Sequence, residues 1–250
     1  MNPLNLITDS YERPARLYPA LLLVAPLIAT AVTILSPRLT GLQSIAATVG
    51  GCGGAFLLTQ LARDTGKKGE KRLFEKWGGL PSVAIFRHRD TRLDSITKAR
   101  YHKRLAGLVK EAKAPSAEQE IADPRAADAV YAAWSNYLRV NTRDTKNFAL
   151  LFQENINYGY RRNVWGLRPI GIAFCAASCL ACGIRLYAVG HSTGKLDEPV
   201  AGAGALAFVL LALWTFRFSA DWVRVPADAY ATRLAECAES LAGRGASPQK

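Results

Sequence analysis

Four long apolar stretches, set as two pairs around a basic middle, constrain this chain more than any other feature. Leu17 to Pro37 and Leu39 to Ala62 carry no charged residue. Pro169 to Val189 is interrupted only by Arg185, and Pro199 to Phe216 by no charge at all. About 20 apolar residues are what a helix needs to cross ~30 Å of hydrocarbon. Backbone polar groups in lipid must be satisfied within the segment, so each stretch is expected to be a helix. The reading is an all-α membrane protein with four transmembrane helices in two hairpins, residues 17–62 and 169–216. A mainly helical, basic cytoplasmic module (63–168) lies between the hairpins. A short leader (1–16) precedes them, and an amphipathic cytoplasmic tail (217–250) follows.

Charge sets the orientation. The net charge is +12, and residues 63–168 hold 22 Lys/Arg against 12 Asp/Glu, so +10 of it lies there. Lys and Arg close to a span mark its cytoplasmic end. Arg63, Lys67, Lys68, Lys71, Arg72 and Lys76 follow the second stretch, and Arg161, Arg162 and Arg168 precede the third. Both termini and the module are therefore expected inside, with two short loops outside. A cleaved signal peptide is the rival for the first stretch, since Arg13 and Arg16 flank it and Ala29-Thr30-Ala31 resembles a cleavage site. That triplet lies inside an apolar run longer than the usual h-region of about 7–15 residues, which favours a span.

Small residues punctuate the spans. Gly50 and Gly54 form a small-xxx-small face suited to close helix approach, within the chain or to a neighbouring copy. The cluster Gly50, Gly51, Gly53 and Gly54 also fits a flexible hinge, and Pro26 is placed to kink the first span. Cys175, Cys179 and Cys182 share a helix face. Without a His or carboxylate in the same span they read as small contact residues rather than metal ligands, and no metal or cofactor is expected. Cys237 in the cytoplasmic tail is expected to stay reduced.

In the module, Lys67 to Trp77 reads as a charged helix broken by Gly78-Gly79-Leu80-Pro81-Ser82. Val83 to Phe86 fits a strand or one helical turn. Asp94 or Ser95 can cap a basic helix extending to Lys113. Asp123-Pro124 is a strong start signal, a capping carboxylate followed by Pro at the first helical position. Val130, Trp134, Tyr137 and Leu138 fall on one side of the helix that follows. Thr145 to Asn163 reads as a further helix with Phe148, Phe152 and Ile156 inward, leading almost directly into the third span. In the tail, Tyr230, Leu234, Cys237 and Leu241 share one face, which fits the membrane surface, the module or a neighbouring subunit.

Catalytic signatures are missing: there is no phosphate-binding G-x-x-x-x-G-K-[ST] loop, no G-x-S-x-G and no H-E-x-x-H. His88 with Asp90, Asp94 and His102 could form an acid–base group but has neither a nucleophile nor ligand spacing beside it. The denser signal is basic. Arg87, His88, Arg89, Arg92, Arg100, Tyr101, His102 and Arg104 form a candidate ligand-binding cluster, because guanidinium forks suit phosphate oxygens and Tyr101 or Trp77 could stack on a base. A nucleotide or other anionic ligand, nucleic acid and anionic lipid all fit, as does a solvated face that only fixes topology. Headgroup contact suits Lys67 to Lys76, nearer the bilayer. Arg161, Arg162, Asn163 and Trp165 lie where module meets span, and read as an interfacial anchor or as a joint coupling the two.

The strings Trp77-Gly78-Gly79-Leu80-Pro81-Ser82, Arg87-His88-Arg89-Asp90, Lys98-Ala99-Arg100-Tyr101-His102 and Tyr158-Gly159-Tyr160-Arg161-Arg162-Asn163 resemble those of uncharacterised bacterial multi-pass membrane proteins. The layout of two hairpins around a cytoplasmic module is similar to that of membrane effectors in bacterial anti-phage systems. The resemblance implies a bacterial inner-membrane location and a channel-like or pore-forming effector controlled by its module; four spans alone give too little wall for a roomy pore, so a homo-oligomer is expected. It carries no functional residue over. The alternative is a non-conducting membrane adaptor whose module recruits a cytoplasmic protein or nucleic acid. An enzyme built on His88 is a third class. The spans lack the buried charges usual in proton-coupled transporters.

Overall fold

Apolar runs and capping signals of this kind fold into helices throughout the computed structural model, which describes residues 10–35 and 41–244, the side chains of 41–53, 55 and 242–244 excepted. Among the described residues there is no strand. A π-helical turn, Arg13–Leu17, leads into α1, Tyr18–Leu35. Next come α2 (Gly41–Trp77), α3 (Pro81–Ala84), α4 (Ser95–Leu108), α5 (Ala117–Ala122) and α6 (Pro124–Asn141). The last helices are α7 (Ala149–Thr193), α8 (Glu198–Ala212), continued by a second π-helical turn at Leu213–Arg217, and α9 (Ala220–Arg244).

Three of these are long and apolar enough to cross a membrane: Arg13–Leu35, Ala149–Thr193 and Glu198–Arg217. The second predicted span falls largely on residues 41–53, whose side chains lie outside those described. Its backbone is helical and continues without a break into the predicted Lys67 to Trp77 helix. The helix expected over Thr145 to Asn163 is likewise continuous with the third span. At 45 residues, α7 is ~68 Å long, more than twice the hydrocarbon thickness. Pro169 sits inside it rather than at its start.

The chain divides into two compact units, Met1–Glu70 with Gly159–Val223, and Lys71–Tyr158 with Arg224–Lys250. In the first unit, Leu23 of α1, Ala62 of α2, Val164, Leu167 and Cys175 of α7, Leu210 of α8, and Trp214 and Phe218 beyond it form a buried cluster. Glycines permit its closest approaches. A Cβ on Gly166 would lie 2.5 Å from the backbone nitrogen of Gly66, and one on Gly171 would lie 2.5 Å from the indole of Trp214. One close helix crossing thus lies at Gly66 and Gly166. At Gly54, where the sequence suggests one, a Cβ would meet nothing within 4 Å. Gly50 lies outside the residues whose side chains are described.

The second unit has a hydrophobic core of its own. Ile85 and Phe86 after α3, Tyr101 and Leu105 of α4, Tyr131, Trp134 and Leu138 of α6, and Leu234, Ala235 and Ala238 of α9 build one core. Tyr230, Cys237 and Leu241 pack with it, so the amphipathic face of the tail is buried on the helical module. Val83 to Phe86 takes the helical option, because Pro81 stands at the first position of α3. Asp94 caps α4 through the Thr97 amide, and Asp123 caps α6 through the amides of Arg125 and Ala126. Ser116 and Gln119 form a capping box on α5. The basic helix expected to reach Lys113 stops at Leu108, just after Gly107, whose backbone freedom disfavours continuation.

Candidate functional site

The basic cluster assembles on the loop between α3 and α4. Its centre is Lys98, 5% exposed. The ammonium donates to the carbonyls of Arg87 (2.8 Å), His88 (3.4 Å) and Asp90, so its three N–H groups fold the loop around themselves. Burial lowers the Lys98 pKa, opposed by the charges of Asp90 and Glu120.

The surrounding guanidiniums have partners distant in sequence. Arg87 makes a two-pronged pair with Asp128 through Nε and Nη2, each at 2.8 Å. Its Nη1 donates to the Gly78 carbonyl at 2.7 Å. That reach needs the turn at Gly78 and Gly79, whose φ values of +75° and +133° suit glycine alone. Arg92 bonds Asp90 through Nε and Nη2 and Asp228 of α9 through Nη1. Arg100 pairs with Glu239 at 2.9 Å, and Arg104 lies 3.9 Å from the same carboxylate.

A second network is buried beneath. Glu120 accepts from the His88 amide and from the Tyr131 hydroxyl, both at 2.8 Å. Burial, then Glu120, raises the Tyr131 pKa. His102 is buried with its Nε2 2.7 Å from the Phe86 carbonyl, while the His88 ring nitrogen meets the Pro115 carbonyl. Tyr101 is buried in the core.

The structure therefore brings the eight sequence-selected residues into one unit, with seven of them in ion pairs, backbone hydrogen bonds or the core. Arg89 is exposed, and among the described residues it has no hydrogen bond or ion pair. The partner carboxylates Glu120, Asp128, Asp228 and Glu239 were not legible as such. They lie tens of residues away, and nothing local marks them. Among the described residues, no group of three His, Cys, Asp or Glu side chains could hold a metal ion.

The buried imidazole makes the second unit acid-sensitive. Burial holds His102 below its ordinary value, and His88 and Lys98 push the same way against the Phe86 carbonyl and Glu120. Below the ordinary histidine value of ~6.5 the unfolded chain takes up a proton that folded His102 refuses. Stability must then fall as pH drops below that point. A second loss follows lower down at Asp90. Burial raises its pKa, but hydrogen bonds and charge from Arg92, with Lys98, outweigh burial and hold it below the usual carboxylate range. That contribution is complete above the ordinary aspartate value and is lost as pH falls through the depressed one. Urea midpoints of the second unit are expected to decline between pH 7.5 and 5.5 in the parent and to flatten in His102→Gln. Equal slopes would assign the acid sensitivity elsewhere.

The residues singled out near the third span are tied within the first unit. Arg162, 7% exposed at its side chain, pairs with Glu70 at 2.6 Å and donates to Asn163 Oδ1 through Nε and Nη2. Asn163 in turn donates to the Ala15 carbonyl at 2.7 Å. Arg161 lies over the Trp222 ring and donates to the Trp222 carbonyl at 3.0 Å. That carbonyl lacks its usual helical donor because residue 226 is proline. Trp165 packs on Gly69. Arg168, legible in sequence only as a topology charge, donates to the carbonyls of Trp214 (3.0 Å) and Thr215 (2.7 Å). These are last-turn acceptors that a cation stabilises.

Comparison with known proteins gives no match: no protein-family model, curated protein or solved structure corresponds to the chain. The resemblance to multi-pass membrane proteins rests on the quoted strings and the layout.

Proposed function

We propose that this chain is a membrane effector with channel-like or pore-forming activity, working as a homo-oligomer under the control of its helical second unit. The observation that carries the proposal is the outward apolar surface of its long helices. Leu21, Ile28 and Val32 on α1, Leu180 and Ile184 on α7, and Phe208 and Phe216 beside or beyond them on the α8 segment are all exposed, Phe216 to 81%. A surface of this kind in water drives association. In a bilayer it meets lipid tails and neighbouring copies. Arg185, the one charge within the third stretch, lies 3.8 Å from Asp197 near the outer loop. The remaining spans are uncharged, which fits passive permeation better than proton-coupled transport.

In this reading four spans form two hairpins in a bacterial inner membrane, with both termini and the second unit cytoplasmic. One copy has too few helices to surround a roomy path, so several copies build it. A Cβ at Gly54 would meet nothing within 4 Å among the described residues, which leaves that face open to another copy. The Arg161, Arg162, Asn163 and Trp165 group serves as the joint through which a signal reaches the spans. Anti-phage defence is the setting the layout suggests.

Expression in bacterial cells is expected to collapse the membrane potential, read with a potential-sensitive dye. Membrane-inserted protein with an unchanged potential, whatever the ligand added, would favour the non-conducting adaptor. In a cysteine-free background, a cysteine placed at Ser192 should be labelled from outside intact cells and one at Ala117 should not. Labelling at Ala117 would overturn the orientation.

A further inference from the structure

We propose that a small cavity beside the α2–α3 turn, bordered by Trp77, Arg89 and Arg224, binds a phosphate group. The cavity measures ≈ 130 Å³ and lies wholly within the second unit. Arg87, Arg89, Arg92 and Arg224 are among its lining residues, with Asp90 and Asp228. Those carboxylates are already engaged. Asp90 accepts from Arg92, and Asp228 accepts from Arg92 and from Arg224 Nε at 3.3 Å. Arg87 is closed on Asp128. Arg89 has no carboxylate among the described residues, and the terminal nitrogens of Arg224 have no acceptor there.

A separate observation points to a ligand. Trp77 Nε1 is buried and has no hydrogen-bond partner among the described residues. An indole N–H can only donate, and a buried donor calls for an acceptor, water or ion. Arg89 and Arg224 thus bring positively charged donors to the cavity lining, and the Trp77 indole is a further donor without a partner among the described residues. The complementary ligand is anionic and acceptor-only. Guanidinium forks match phosphate oxygens, and a phosphate has enough oxygens to meet three donors at once.

Size narrows the class further. At ~30 Å³ per water the cavity holds about four waters, whereas pockets for whole drug-sized ligands run to about 300–1,000 Å³. A phosphate group fits inside while the rest of its molecule remains in solvent. Free phosphate, a soluble phosphomonoester and a lipid phosphate headgroup share this chemistry. As the trigger site of the effector, the cavity rests on the preceding functional reading. Binding itself does not, and the experiment reads binding alone.

Full-length protein in phosphate-free maltoside micelles is titrated with inorganic phosphate at constant ionic strength, with binding followed by calorimetry and tryptophan fluorescence. Saturable binding is expected. Arg89→Gln and Arg224→Gln should each weaken it about tenfold, the loss of one charged hydrogen bond. Trp77→Phe, which keeps an aromatic ring and deletes the N–H, should weaken it severalfold with unchanged helical circular dichroism. Arg125→Gln, an exposed cation outside the cavity, should bind like the parent. Competition by phosphatidic acid but not by glycerol phosphate would identify a lipid headgroup, and the reverse a soluble phosphoester. Absence of saturable phosphate binding, or equal weakening in Arg125→Gln, would overturn the site whether or not the protein conducts.

Discussion

Gly166→Leu is expected to prevent the first unit from packing. The first carbon of any side chain there would sit 2.5 Å from the Gly66 nitrogen, 2.7 Å from the Thr65 carbonyl carbon and 2.8 Å from the Gly66 Cα. All three are backbone atoms of α2, so no rotamer change relieves the overlap. Overpacking a core costs about 1–3 kcal/mol where neighbours can yield, and occasionally more. Here two helix backbones must separate, so the upper end or beyond is expected, and leucine adds three further carbons. Gly54→Ala provides the contrast, since its new methyl meets nothing within 4 Å. Thermal unfolding of the detergent-solubilised protein, followed by helical circular dichroism, should show a large drop for Gly166→Leu and almost none for Gly54→Ala. A parent-like transition in Gly166→Leu would mean that α2 and α7 do not cross there.

Trp134→Ala is expected to undo the second unit. Trp134 is fully buried, and its Nε1 donates to the Ala112 carbonyl at 3.0 Å. Its ring stands edge-on to Phe86 at 5.9 Å and lies against His102 at 5.1 Å and Tyr131 at 5.5 Å. Truncating a buried tryptophan costs about 3–5 kcal/mol. The Ala112 carbonyl also loses its partner. Set against a typical domain stability of about 5–15 kcal/mol, this leaves little margin. Urea unfolding should lose a large part of its midpoint in Trp134→Ala and a smaller part in Trp134→Phe, which keeps most of the ring volume. Similar midpoints for the two variants would place the hydrogen bond, rather than packing, in control.

The legible parts of this chain are those that act locally. Uncharged runs of about 20 residues announced long helices, and Asp94 and Asp123 marked helix starts because a capping carboxylate works within three residues of itself. The spacing of Tyr230, Leu234, Cys237 and Leu241 marked one buried face but not what covers it, since an amphipathic stripe looks the same against a bilayer or a protein core. The near-continuity of the helix before the third span with that span was legible too. The third apolar stretch begins at Pro169, yet α7 runs through that residue as one helix with the segment before it. The crossing at Gly66 and Gly166 was hidden because the two glycines are far apart in sequence and nothing local pairs them, while the glycine-rich stretch around Gly54 drew attention. The arginines were visible as a cluster, but their pairing depends on Asp128, Asp228 and Glu239, which only folding brings near. The same folding leaves Arg89 without an ion pair among the described residues and buries the Trp77 indole nitrogen, with both residues lining one small cavity.

Purified full-length protein in planar lipid bilayers tests the central claim most directly. The account predicts discrete current steps in membranes that are silent without protein, appearing with a steeper than linear dependence on protein concentration because several copies must assemble. Bilayers that remain electrically silent while the protein is shown by flotation to be inserted and oligomeric, with phosphate, phosphoesters and anionic lipid supplied, would contradict it.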